Sequence, residues 1–167
     1  MTKIDLLAIA PHPDDAELGC GGTLAKHRAL GKTTGIIDLT AGELGTRGSA
    51  PIRLREAQTA AEILGLTIRE NLGFEDGFFT QDKATLLRLI AAIRQYQPEV
   101  VLASALRDRH TDHAKGAELI KTACFLAGLA RIETLHPQTG QPQPAWRPRA
   151  VYHFIHDYLL LPTLVVD

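Results

Sequence analysis

The stretch Ile4–Leu30, "IDLLAIAPHPDDAELGCGGTLAKHRAL", decides how the rest of the chain is read. Ile4 to Ala10 is a short β-rich apolar run, too short for a buried helix. Ala16 to Leu30 carries a helical pattern and stops at Gly31, a residue suited to a helix C-cap. Between strand and helix sit His12 and two adjacent aspartates, Asp14 and Asp15. Neighbouring carboxylates repel, and a dry strand end is a poor place for them. Either something positive sits there or the turn is solvated.

Working outward, the same alternation repeats. Thr33 to Thr40 reads as a second strand, followed by the loop "AGELGTRGSAP" and a helix from Ile52 to Leu64 that ends at Gly65. Pro51 suits the first turn of that helix. Thr67 to Leu72 is a weaker third strand, and "GFEDGFFTQD" is a loop in which Gln81 or Asp82 could cap the next helix. Leu86, Leu89, Ile90 and Ile93 share one face of that helix. Pro98 ends it, "EVVLASA" is a fourth strand, and Asp112 to Leu129 is helical again. Residues 134–149, rich in Pro and Gln, predict a surface excursion. "AVYHFIHDY" and the terminal "TLVVD" predict late strands. The order predicts an α/β fold in one domain over 1–167, with a mainly parallel sheet and helices on both faces. The chain stops at what reads as a strand end with no closing helix, which carries the expectation of a further C-terminal segment.

Composition bounds the function. The chain has 167 residues, 45% hydrophobic and 22% charged, with a formal net charge of −1. That balance offers no global field for nucleic acid or a membrane surface. Cys20 and Cys124 lie far apart without a CxxC pairing and read as small hydrophobes in a reducing compartment. The N-terminus has no basic region and no cleavage site, and no apolar run is long enough to span a bilayer, so the expected location is cytoplasmic.

In parallel α/β sheets, sites form beyond the C-terminal ends of strands at the switch point. Two strands end in ionisable clusters: His12, Asp14 and Asp15 after the first, and "RDRHTDH" with Asp108, His110, Asp112 and His113 after the fourth. First and fourth strands are neighbours in the common doubly wound order, so the clusters can face each other across one crevice. Imidazole with carboxylate suits Zn²⁺ or Fe²⁺. A divalent ion also offsets the repulsion of adjacent aspartates, if one ligates and the other serves as base. Each motif alone is equally a helix cap, and a non-catalytic α/β binding protein would carry them as caps only.

The remaining polar and glycine-rich segments are less specific. "GCGG" lacks the spacing of a dinucleotide fingerprint, and no acidic residue closes the second strand, where Thr40 stands. Gly19, Gly21 and Gly22 are better read as close packing at the helix start. Arg47, Arg53, Arg55, Arg107 and Arg109 surround the expected crevice. One or two of them touching ligand would point to an anionic substrate group. Glu43 comes from the same loop as Arg47, and Glu75 and Asp76 could accept sugar hydroxyls or form a plain turn. His27 and His136 stand outside the constellation. His153 and His156 are expected to point to opposite faces of one strand, as structural or exposed residues.

"PHPDDAELGCGGTLA" together with "RDRHTDH" resembles the LmbE-like (PIG-L) family of metal-dependent N-acetylglucosaminide deacetylases. "GIIDLTAGELGTRG", "R-x-R-E-A" and "ENLGFEDGFF" resemble its bacillithiol-biosynthesis branch, the N-acetylglucosaminyl-malate deacetylases. The resemblance implies a Rossmann-like domain, often homo-oligomeric, that acts on a small amino-sugar substrate. It implies that His12, Asp15 and His113 bind zinc, with Fe²⁺ suited to the same ligands, and that Asp14 is the general base. His110 would protonate the leaving amine or steady the oxyanion. Arg53 and Arg109 match pocket positions, Glu43 and Asp76 are further candidates for substrate contact, and Asp108 or Asp112 would orient a histidine. Another GlcNAc-containing substrate, chitooligosaccharide or lipid-linked, fits the same chemistry.

Overall fold

The computed structural model describes residues 3–167. Met1 and Thr2, which open the stretch read for a leader, lie outside the described residues. The elements run β1 (Leu6–Ala10), α1 (Asp15–Ala29), β2 (Thr34–Thr40), α2 (Ala50–Leu64), β3 (Ile68–Phe74), α3 (Lys83–Tyr96), β4 (Val100–Ala103), α4 (Thr111–Ala127) and β5 (Ala150–His153). The five strands form one sheet in the order β3-β2-β1-β4-β5. All four pairings are parallel, with β1 joined to β2 on one side and to β4 on the other.

Both faces of the sheet are covered, and β1 shows why its sequence is apolar throughout. Leu7 and Ile9 face a core shared with Leu89, Ile90 and Ile93 of α3 and Leu119, Ile120 and Ala123 of α4. Leu6, Ala8 and Ala10 face the opposite side, against Ala16, Cys20 and Leu24 of α1. A strand buried on both faces reads as a continuous hydrophobic run rather than an alternating one. Each fully buried Leu or Ile is worth roughly 1.5–3 kcal/mol, so the centre of the sheet is firmly held.

Local sequence sets the ends of the helices. Pro51 lies in the first turn of α2, and Gly65 takes the left-handed conformation that ends it (φ 62°). Asp82 caps α3, its side chain accepting from the Thr85 backbone N–H. The α1 geometry breaks at Cys20, next to Gly19. The Phe154 ring packs so closely on Gly19 that a β-carbon there would collide with it. Gly21 has only ordinary contact and Gly22 opens on free space, so close packing explains the first glycine and not all three.

The late strands differ from expectation. β5 ends at His153, and "TLVVD" pairs with no strand. Residues 160–166 line a groove with Gly19, Cys20 and Thr23 of α1, and Asp167 meets Lys26. The tail therefore lies beside α1 instead of extending the sheet. Among the described residues no helix is long and apolar enough to cross a membrane.

Candidate metal centre

The order reverses at β1, so the loops after β1 and β4 diverge from neighbouring strand ends and leave a crevice between them. Pro11 anchors the first loop. Its carbonyl accepts the Thr40 backbone N–H and hydroxyl from the end of β2, and its ring packs on Gly116 of α4. The chain then turns so that the Asp15 carboxylate accepts the His12 backbone N–H at 3.0 Å. Asp14, at the helix boundary, takes φ 104°, a left-handed value rare outside glycine. The turn sends the adjacent carboxylates in different directions. Asp15 is buried, whereas Asp14 has a side chain 60% exposed and gives no helix cap.

Asp15 joins the two motifs. One oxygen lies 3.1 Å from His12 Nδ1 and the other 3.1 Å from His113 Nε2. His110 caps α4, its Nδ1 accepting the Asp112 N–H at 3.3 Å. The neutral ring then carries its proton on Nε2. The His110 ring stacks on His113 at 4.8 Å and meets His12 edge-on at the same centroid distance. Asp108 reaches 3.1 Å from His113 Nδ1, a charge contact in which that nitrogen gains no aligned hydrogen bond. Asp112 is fully buried. Its carboxylate takes the Gly77 N–H and Lys115 Nζ, and lies 3.5 Å from His12 Nε2.

The remaining expected residues are placed unequally. Asp76 is buried, 3.1 Å from His12 Nε2, and also accepts the Leu44 N–H. Glu43 accepts the Asp76 N–H and does not line the crevice, so this pair ties together the loops after β2 and β3. Of the five arginines, only Arg53 and Arg109 line the crevice. Arg53 donates to Asp14 and to the Pro13 carbonyl, and Arg109 pairs with Asp157 at 3.4 Å. The crevice encloses about 610 Å³.

His156 also lines the crevice, which overturns its expected place outside the constellation. Strand alternation does not govern this residue, because β5 stops at His153. Its ring centroid is 5.1 Å from that of His113. The switch-point rule, applied to the strand beside β4, is the sequence signal that points to it.

The field in the crevice favours positive charge. Burial works against charged His12 and His113, yet the surrounding carboxylates outweigh it and raise both imidazoles. Burial also opposes the charge on Asp15, but hydrogen bonds from His113 and His12 hold its carboxyl well below the ordinary range. His110, desolvated and next to two imidazoles, is lowered. The crevice walls raise Asp14, Arg53 opposes this, and Asp15 adds to it. Three overlapping sets have donor atoms within 4.8 Å of one another: His12, His110 and His113; Asp15, His113 and His156; His12, Asp76 and Asp112. Imidazoles converging with anionic oxygens are a donor set for Zn²⁺ or Fe²⁺, so the residues present fit a divalent transition metal.

Fold and site together define a doubly wound α/β chain with a histidine–aspartate cluster at its switch point that could hold a cation. The chain belongs to the PIG-L family: the GlcNAc-PI de-N-acetylase family model matches residues 7–124. It is 32% identical to a diacetylchitobiose deacetylase of Thermococcus kodakarensis over 134 residues, covering 74% of this chain and 50% of that protein. It is 31% identical to a 4-oxalmesaconate hydratase of Pseudomonas putida over 166 residues, covering 85% of this chain and 64% of the relative. Among solved structures, the conserved protein TT1542 from Thermus thermophilus superposes with a TM-score of 0.85 at 40% identity, covering 96% of this chain and 70% of the other. The chain thus spans between half and two thirds of the length of these two curated relatives.

Proposed function

We propose that this protein is a metal-dependent N-deacetylase of amino-sugar conjugates, with N-acetylglucosaminyl-malate as substrate and Zn²⁺ as the ion. The observation that carries the reading is the division of labour between adjacent aspartates. Asp15 is buried between His12 and His113, while Asp14 stands exposed at the mouth of the crevice. In this reading His12, Asp15 and His113 hold the ion. When bound, it would supply Lewis acidity toward a carbonyl oxygen and acidify a water.

The chain's own groups do the rest. Asp14 accepts a proton from the attacking water, and its raised pKa suits a general base better than an ordinary carboxylate would. His110 Nε2–H donates to the oxygen that gains charge as the acetamide carbon becomes tetrahedral. The proton held by Asp14 is the one the leaving amine requires, delivered directly or through His110. Acetate and the free amine then balance the hydrolysis. Arg109, exposed at the rim, is the cation proposed for a malate carboxylate, which would compete with Asp157 for it, whereas Arg53 is held at shorter range by Asp14.

The experiment is acetate release from N-acetylglucosaminyl-malate and from N,N′-diacetylchitobiose, each with and without a chelator. Faster, chelator-sensitive release from the malate conjugate is expected. Preference for the neutral disaccharide would transfer the reading to the chitooligosaccharide alternative. No acetate from either substrate in the metal-loaded protein would overturn the deacetylase reading, and hydratase activity would then be the next assay.

A further inference from the structure

The segment after β5 brings to the crevice a side chain that neither paired motif contains. We propose that His156 is a further ligand of the metal held at this site, an inference that rests on the metal-site reading above.

Three observations support it. First, a ring nitrogen of His156 lies with an Asp15 oxygen and a His113 nitrogen inside one 4.8 Å group. Donors about 2.1 Å from one tetrahedral ion are roughly 3.4 Å apart, so a side-chain rotation of about 1 Å seats the ring. Second, Asp108 stands behind both imidazoles. Its Oδ1 is 3.1 Å from His113 Nδ1 and its Oδ2 is 3.8 Å from His156 Nδ1. The carboxylate stands in charge contact with one nitrogen of each ring, without an aligned hydrogen bond to either, and holds negative charge beside two neighbouring imidazoles. Third, the segment is held in place. The Phe154 N–H donates to the Ala103 carbonyl, the Asp157 N–H donates to Asp108 Oδ2, and Phe154 seats on Gly19. The His156 side chain is 17% exposed, while Asp157 beside it is 42% exposed. The ring is turned inward at a point where its neighbour faces solvent.

With His12, Asp15 and His113 this makes four protein donors. A five-coordinate centre still has room for water, an expansion that zinc sites tolerate. The arrangement also gives the turn beyond β5 a chemical reason to fold back over the crevice.

Co²⁺ titration of the whole chain, followed by visible absorption, tests the inference without reference to turnover. Wild type is expected to develop ligand-field bands, and His12→Ala to lose them. His156→Gln should weaken Co²⁺ binding on the order of 10–100-fold and change the band shape. His156→Cys should add a thiolate-to-metal charge-transfer band that wild type lacks. Cys20 and Cys124 cannot imitate it, because burial pushes both thiols up to about 12. If wild type and His156→Gln bind Co²⁺ alike and His156→Cys adds no band, the inference falls and the metal-site reading stands. If wild type itself shows no ligand-field bands, both fall together.

Discussion

Asp38 and Asp15 are both buried carboxylates, one on β2 and one at the start of α1, and they meet their charge differently. Asp38 on β2 takes a two-pronged contact from Arg69 of β3, with Nε and Nη2 at 2.9 and 3.0 Å. Glu17 of α1 holds the third guanidinium position. One guanidinium built into the chain bridges both carboxylates there. Asp15 instead lies between two imidazoles, with Asp76, Asp108 and Asp112 close by. Lys115 and Arg53 reach only the margins of that group, through Asp112 and Asp14. The first, closed cluster is bridged by its own guanidinium as folded, and in the proposed reading the second, open cluster is completed by a cation from outside. The difference separates a structural ion pair from a binding site more clearly than either burial or charge count does.

On that contrast, the largest effect belongs to the open cluster. Asp14→Asn is expected to lower acetate release on the order of 10²–10⁴-fold while Co²⁺ absorption persists. Loss of the cobalt signal in that variant, with retention in Asp15→Ala, would reverse the two aspartates' roles.

The closed cluster should respond in stability instead. Arg69→Met leaves Asp38 buried without its partner and is expected to cost about 3–5 kcal/mol in urea unfolding. Adding Asp38→Asn should restore part of that, because burial already pushes the Asp38 carboxyl up to about 6 against the pull of Arg69.

A smaller effect distinguishes an external cation from an internal one. Co²⁺ at about 100 times its dissociation constant should stabilise the fold by about 2.7 kcal/mol, and a chelator should reverse it. Denaturation that is unchanged by metal at saturating concentration would count against the open cluster.

The smallest effect concerns Asp82, an exposed carboxylate answered only by a hydroxyl and a backbone amide. Hydrogen bonds from Thr80 and the Thr85 N–H lower its pKa in the folded state. Its contribution is therefore present above the ordinary carboxylate pKa and is lost as pH falls through the lowered value. Relative to wild type, Asp82→Asn should lose less melting temperature between about pH 5 and about pH 2.

Much of the fold is readable in the sequence because β1 and β4 are apolar without interruption and glycine or proline bounds the helices. The pairing of HPDD with HTDH follows from strand order alone. The ends are harder. "AVYHFIHDY" has strand composition throughout, yet only its first four residues find a partner strand, and His156 is freed from the alternation that would exclude it. Glu43 and Asp76 are legible as polar loop residues, but their engagement with each other's loops depends on packing between β2 and β3. Asp38 and Arg69 are silent in the sequence because a charge inside a strand declares its partner only once the register is known. Arg94 is similar. It lies on the buried face of α3, and its guanidinium donates to the carbonyls of Ala127, Leu129 and Ile132, ending α4 from another helix.

If Asp14 is the base proposed above, its left-handed backbone sets a stability–activity conflict at one residue. A non-glycine side chain held at such a φ costs on the order of 1–3 kcal/mol. Glycine would relieve that cost and would also remove the exposed carboxylate. Selection for a more heat-resistant fold and selection for turnover therefore pull position 14 in opposite directions. A thermostabilising screen that ignored activity would be expected to recover Asp14→Gly.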